Sequence, residues 1–222
     1  MLSVRDIDVF YGDFHVLHGV SLDVGQGELV AVVGANGHGK STLLKAISGL
    51  VPIASGDIAY KGKSIRGRKA PDLVREGIAY VAEDRRLFPD MTVKENLMLG
   101  AYAPHARAKR QENLDLVLGL YPRLAERQSQ LARTLSGGEA QMLALGRGLM
   151  SAPELLAIDE PSLGLAPNLV ESMLETVSRL NQQGITILLV EQSLALIEGL
   201  VRRVYTLEEG VIRLAAPATA AG

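Results

Sequence analysis

The chain has 222 residues, 47% apolar and 22% charged, with a net charge of −2 and no cysteine. This composition suits one globular domain with a sizeable core and excludes disulfide frameworks and thiolate metal sites. The near-neutral balance gives no electrostatic footprint for nucleic acid as a primary partner.

Residues 1–6 reach charge at Arg5 and Asp6 and lack the basic-then-apolar plan of a signal peptide. No apolar run approaches the ~18 residues a spanning helix needs, so a membrane role is expected to run through a partner. Val16-Leu17-His18-Gly19-Val20-Ser21-Leu22 alternates as a strand does, and Gly25-Gln26-Gly27 supplies a turn. Leu29-Val30-Ala31-Val32-Val33 is a continuous, mostly β-branched run, as expected of a strand buried on both faces. A glycine-rich turn follows, then a helix from Lys40 to Ser48 stopped by Gly49 and Pro52.

Two short strand-like pieces flank a basic stretch from Lys61 to Lys69, which reads as a solvated surface hairpin. From Val93 to Arg127 the chain is expected to be helical, punctuated by Pro104 and Pro122, and another helix follows Ser136. Leu155-Leu156-Ala157-Ile158 reads as a buried strand, residues 169–182 as a helix, and Ile185-Thr186-Ile187-Leu188-Leu189-Val190 as a further strand. Strand–helix alternation with apolar strands predicts an α/β fold on a mainly parallel sheet, with the central helices inserted between its halves. The tail of small residues, 215–222, is expected to fray.

Gly34-Ala35-Asn36-Gly37-His38-Gly39-Lys40-Ser41-Thr42 satisfies G-x-x-x-x-G-K-[ST] between a buried strand and a helix, the context of a phosphate-binding loop. Glycines let backbone N–H groups turn toward phosphate oxygens, and the helix N-terminus adds its dipole. Lys40 is expected on the β- and γ-phosphates of a nucleotide and Ser41 on Mg²⁺. The ring of His38 is expected in solvent, because such a loop works through backbone amides. Asp159 and Glu160 end a buried strand: Asp159 suits the Mg²⁺-holding acid, and Glu160 suits the base that polarises the attacking water. Adjacent acids at a solvated strand end are common, so this pair carries weight only beside the loop. Ser136, Gly137 and Gly138 open a helix with a hydroxyl and bare amides, as either a plain N-cap or an anion contact.

In this order, phosphate loop, Leu135-Ser136-Gly137-Gly138-Glu139 and paired acids, the chain resembles the ABC ATPase family over nearly its whole length. The resemblance implies a P-loop NTPase fold with a mainly parallel core sheet, an N-terminal antiparallel β subdomain and a helical subdomain inserted at about residues 90–151. All of these lie in one domain spanning 1–214. It further implies ATP and Mg²⁺, and a dimer in which Ser136, Gly137 and Gly138 of one subunit close over ATP held by the other. Tyr11 matches the aromatic that stacks on adenine, and Ser162-Leu163-Gly164-Leu165 the loop through which subunits communicate.

Glu83, in Val81-Ala82-Glu83-Asp84-Arg85-Arg86, stands where the family usually has a glutamine near the metal and γ-phosphate. Gln192, in Val190-Glu191-Gln192-Ser193, stands where it usually has a histidine. Both exchanges resemble the branched-chain amino-acid importer branch, in its shorter (LivF-like) subunit, as does Asp159-Glu160-Pro161-Ser162-Leu163-Gly164-Leu165-Ala166-Pro167. His38, Ala82, Asp84 and Ala140 depart from that branch. By the resemblance, the partners are a second cassette (a homodimer being the alternative), two permease subunits and, indirectly, a periplasmic or extracellular binding protein. The chain is expected on the inner face of the membrane. Alternatives are a soluble ABC ATPase acting on ribosomes or DNA, or the same engine importing urea, amides or aromatic acids.

Overall fold

The computed structural model describes residues 1–201 and 203–215. Beyond Ala215, the expected fraying tail lies outside them. The chain opens with an antiparallel pair, β1 (Leu2–Tyr11) and β2 (Phe14–Val24), joined by a tight hairpin. Next come β3 (Leu29–Val33), α1 (Lys40–Ile47), β4 (Ser55–Tyr60), β5 (Lys63–Ser64), α2 (Ala70–Arg75) and β6 (Ile78–Val81). Helices α3 (Val93–Gly100), α4 (Pro104–Ala108), α5 (Arg110–Leu120), α6 (Pro122–Glu126) and α7 (Gly137–Leu149) follow without an intervening strand. The chain closes with β7 (Leu155–Asp159), α8 (Pro167–Gln182), β8 (Thr186–Glu191), β9 (Arg203–Glu208) and β10 (Val211–Leu214).

The strands form two sheets. One is antiparallel, in the order β2-β1-β4-β5; the other runs β10-β9-β3-β8-β7-β6 and is parallel except for β10. The parallel sheet is the middle layer, which explains its unbroken apolar strands. Ala31, Val33, Leu156, Ile158, Ile187 and Leu189 pack on the helices, while Val30, Val32, Leu155, Ala157, Leu188 and Val190 pack toward α1 and the antiparallel sheet. Each such buried side chain contributes about 1.5–3 kcal/mol, so both faces of every central strand are selected for apolar character.

Sequence periodicity places the central strands and helices within a residue or two, and misses three features. The basic stretch contains β5, which pairs with β4 as a hairpin, and helix α2, not a strand, follows it directly. Prolines 104 and 122 do not merely punctuate one helical run; each starts a new short helix at its first position. Strands β9 and β10 are not evident from the sequence, because their exposed and half-buried positions give no continuous apolar run.

A buried amide organises the entry to the helical region. Asn96 is fully buried; its Nδ2 donates to the carbonyls of Phe88, Met91 and Thr92 at 3.0–3.2 Å, and its Oδ1 accepts from the Phe88 amide at 2.9 Å. Thr92 and Glu95 add a reciprocal capping box at the start of α3. Asn96→Ala should therefore strand buried backbone groups and lower stability by about 2–4 kcal/mol. Denaturant titration would read this as a lower midpoint at unchanged slope; an unchanged midpoint would mean that other contacts hold the loop.

Candidate functional site

The site forms where β3, β7 and β8 end together. After β3 the chain turns through residues 34–39 into α1, and two glycines make that turn possible. A Cβ on Gly34 would sit 2.2 Å from the Leu207 carbonyl oxygen of β9, and Gly39 adopts φ 101° as the N-cap of α1. The first turn of α1 carries no acidic residue and no side-chain cap, so its amides are open to an anion. Asn36 and Gly37 are exposed on the loop, while Thr42 is buried beneath it. His38 corrects the sequence expectation. Its ring is half-buried with Nδ1 3.3 Å from the Leu207 carbonyl, and its own carbonyl accepts from the Gly210 amide. The imidazole ties the loop to the β9–β10 turn instead of facing water.

Lys40 is only 3% exposed. Its Nζ lies 2.8 Å from Glu160 Oε1 and donates to the Ala35 carbonyl at 3.0 Å. The other Glu160 oxygen, Oε2, accepts from Gln192 Nε2 at 2.5 Å. Glu160 is thus bracketed by a cation and an amide, on a backbone with φ 42°. One residue earlier, Asp159 accepts from Ser41 Oγ at 3.1 Å and from the Tyr80 hydroxyl at 2.8 Å. Burial pushes the Asp159 carboxyl above its usual range, and the two hydrogen bonds oppose that shift. Glu83 is exposed after β6; partial desolvation and the Glu160 and Asp159 carboxylates raise it too.

The charge balance here is uneven. Among the described residues Asp159, Glu160 and Glu191 are buried carboxylates, and Lys40 is the one buried cation. Asp159 has hydroxyl donors but no ion pair there. No cluster of three or more Asp, Glu, His or Cys side chains forms a metal cage among the described residues. A hydroxyl beside an unneutralised carboxylate nevertheless fits Mg²⁺, which is commonly held by one or two carboxylates plus substrate phosphates.

Ser136 caps α7. Its Oγ accepts from the Glu139 amide, and its own amide donates to Glu139 Oε2 at 2.9 Å. The plain N-cap role is therefore real, while Ser136 and Gly137 remain exposed and Gly138 is buried. The contacts that join Ser41, Asp159, Lys40, Glu160 and Gln192 do not extend to these three residues. Tyr11 likewise stands apart, 48% exposed at the tip of the β1–β2 hairpin opposite Phe14.

Two participants escape sequence reasoning. Tyr80 is a phenol in an otherwise apolar strand, and a buried hydroxyl there needs a partner. Glu191 ends apolar β8 at 1% exposure, accepting from Ser162 Oγ at 2.7 Å and the Ser162 amide at 3.2 Å. A carboxylate closing a buried strand was the available signal.

A family model described as ABC transporter matches residues 17–163. The high-affinity branched-chain amino acid transport ATP-binding protein BraG of Pseudomonas aeruginosa is 46% identical over 212 residues, covering 96% of this chain and 91% of its own. A probable branched-chain amino acid transport ATP-binding protein, LivF of Archaeoglobus fulgidus, is 36% identical over 87% of this chain and 82% of its own. A dimeric bacterial ABC transporter cassette superposes with a TM-score of 0.83 at 25% identity, covering 97% of this chain and 98% of that one. With the phosphate loop, the paired acids and the two-sheet fold in place, the chain belongs to the ABC transporter family, as one of its ATP-binding, ATP-hydrolysing subunits.

Proposed function

We propose that the chain hydrolyses Mg-ATP to drive an importer of branched-chain or other hydrophobic amino acids. It works on the cytoplasmic face of the membrane as one of two cassettes beneath two permease subunits, which receive substrate from a binding protein. The carrying observation is that the contacts joining Lys40, Ser41, Asp159, Glu160 and Gln192 do not include Ser136, Gly137 or Gly138. Ser136 and Gly137, exposed at a helix start and outside the contacts of the chain's own Lys40, suit a γ-phosphate held by a second cassette. The substrate class rests on the transport roles of BraG and LivF.

For Lys40 to reach a phosphate it must leave Glu160. The departure frees Glu160 Oε1 while Gln192 still holds Oε2, so the freed oxygen can accept a proton from the attacking water. The loop amides and Lys40 hold the β- and γ-phosphates, and Tyr11 offers a stacking face for the base. Ser41 and Asp159 would hold Mg²⁺, with Glu83 nearby; the ion, when bound, neutralises charge developing on the phosphate oxygens.

No helix among the described residues is long and apolar enough to cross a membrane. A groove of about 660 Å³ between α2, the Glu83 loop and α7 exposes Leu50, Phe88, Leu99 and Tyr102. An apolar patch of this kind suits a permease segment, and docking there would let the helices of residues 93–149 act as the lever. Much of the charge of the basic stretch is spent within the fold. Lys61 pairs with Glu154 and Arg68 with Glu76, and Arg66 donates to the Gly56 and Ala54 carbonyls.

Purification of the tagged chain from gently solubilised native membranes, followed by mass spectrometry, should recover a second cassette and two polytopic membrane proteins. Recovery with ribosomes or nucleic acid and no permease would sink the transport reading. Glu160→Gln should bind ATP at least as well as the parent, because Lys40 is released, while turnover falls by at least ~10²-fold; wild-type turnover would remove Glu160 from the chemistry. Asp159→Asn tests the metal assignment through stability. A carboxyl whose folded pKa is raised costs stability once ionised, as pH rises above its unfolded value. At neutral pH the amide should leave the melting temperature unchanged or higher and abolish the stabilisation that Mg-ATP confers. A lower melting temperature would show that the ionised carboxylate supports the fold.

A further inference from the structure

We infer that Glu191 is a positioning residue for hydrolysis: it fixes the turn after Glu160, so that the carboxylate of Glu160 stays aimed once Lys40 has moved to the nucleotide. The inference rests on the reading of Glu160 as the general base.

The geometry is that of a two-pronged support at the end of β8. Gln192 holds the side chain of Glu160, as described. Glu191, its neighbour, holds the backbone two residues beyond Glu160 through both the amide and the hydroxyl of Ser162. The Glu160 amide itself donates to the Val190 carbonyl at 2.9 Å. Val190 and Glu191 of β8, with Gln192 just beyond it, thus grip Glu160 and Ser162.

The grip has a physical purpose. Glu160 has φ 42°, a left-handed backbone that a side-chain-bearing residue keeps only when its surroundings over-determine it. While Lys40 is paired with Glu160, the ion pair helps to hold that geometry; when Lys40 turns to a phosphate, that restraint is gone. A residue serving only the core would be apolar at this strand end. A carboxylate at 1% exposure, with no basic partner among the described residues, is costly unless its donors are needed. The donors lie in Ser162, at the start of the loop 162–165 whose Leu163 and Gly164 are exposed, so the same contact couples that loop to the aim of the base.

The test measures single-turnover ATP hydrolysis, ATP affinity and melting temperature in the complex recovered with the tagged chain, for Glu191→Gln, Ser162→Ala, the double variant and Glu160→Gln. Ser162→Ala reaches the contact from the loop side and leaves β8 intact, should Glu191→Gln fold poorly. The hydrolysis rate should fall ~10- to 100-fold in each single variant, the scale of misplacing a catalytic group by about an ångström. ATP affinity should stay within about twofold, since only a step after binding is affected. The double variant should be no slower than the slower single one, because both remove one interaction.

Wild-type rates in both single variants beside a lost rate in Glu160→Gln would overturn the positioning role alone. So would effects that multiply in the double variant, or affinity falling in step with rate, which would mark Glu191 as general support for the phosphate loop. A wild-type rate in Glu160→Gln would overturn the reading of the base itself.

Discussion

The buried ion pair between Lys40 and Glu160 joins the phosphate loop to the end of β7, and the rest of the site is arranged around it. Two charges at 3% and 5% exposure are tolerable only because each finds further partners, Lys40 at the Ala35 carbonyl and Glu160 at Gln192. A buried pair of this kind contributes little net stability against an apolar alternative. Under the proposed function, its importance is that Lys40 and Glu160 satisfy each other until a phosphate competes for the lysine. Substrate binding and activation of the base then become one exchange of partners.

Around that pair, the parallel sheet concentrates negative charge at the carboxyl ends of its strands. Asp159, Glu160 and Glu191 are all buried there, and burial raises the carboxyls of Asp159 and Glu191. Hydroxyls from Tyr80, Ser41 and Ser162 temper the cost without removing the charge. In the proposed readings, the same electrostatic condition underlies both the cation site at Asp159 and the anchoring of Ser162.

The loop carrying Glu83 is held by a different device. Arg85 and Arg86 both adopt positive φ, at 58° and 47°, and the guanidinium of Arg147 on α7 donates to both of their carbonyls at 2.9 and 2.7 Å. Arg85 in turn donates to Gln141 on the same helix at 2.8 Å. The helix that begins at Ser136 is therefore strapped to the loop that faces Asp159 and Glu160. The apolar groove borders this strap, so the exposed patch, the Glu83 loop and α7 are contiguous.

The sequence by itself determined the α/β class, the central strands, the phosphate loop and the paired acids. Unbroken apolar runs require a doubly covered sheet, and the glycine pattern before Lys40 has few other uses. It also offered Ser136 as an N-cap, while the reciprocal bond from its amide to Glu139 came from the structure. Tertiary structure alone decided which distant groups meet. Tyr80 reaches Asp159, Glu191 reaches Ser162, His38 leans on Leu207, and Asn96 closes on residues 88–92, with no periodicity announcing any of them. Strands β9 and β10 were invisible for the same reason: their place is set by pairing with β3 and with each other, not by their own pattern of residues. Periodicity reports which face of an element is buried; it carries no information on the particular polar atom that waits there.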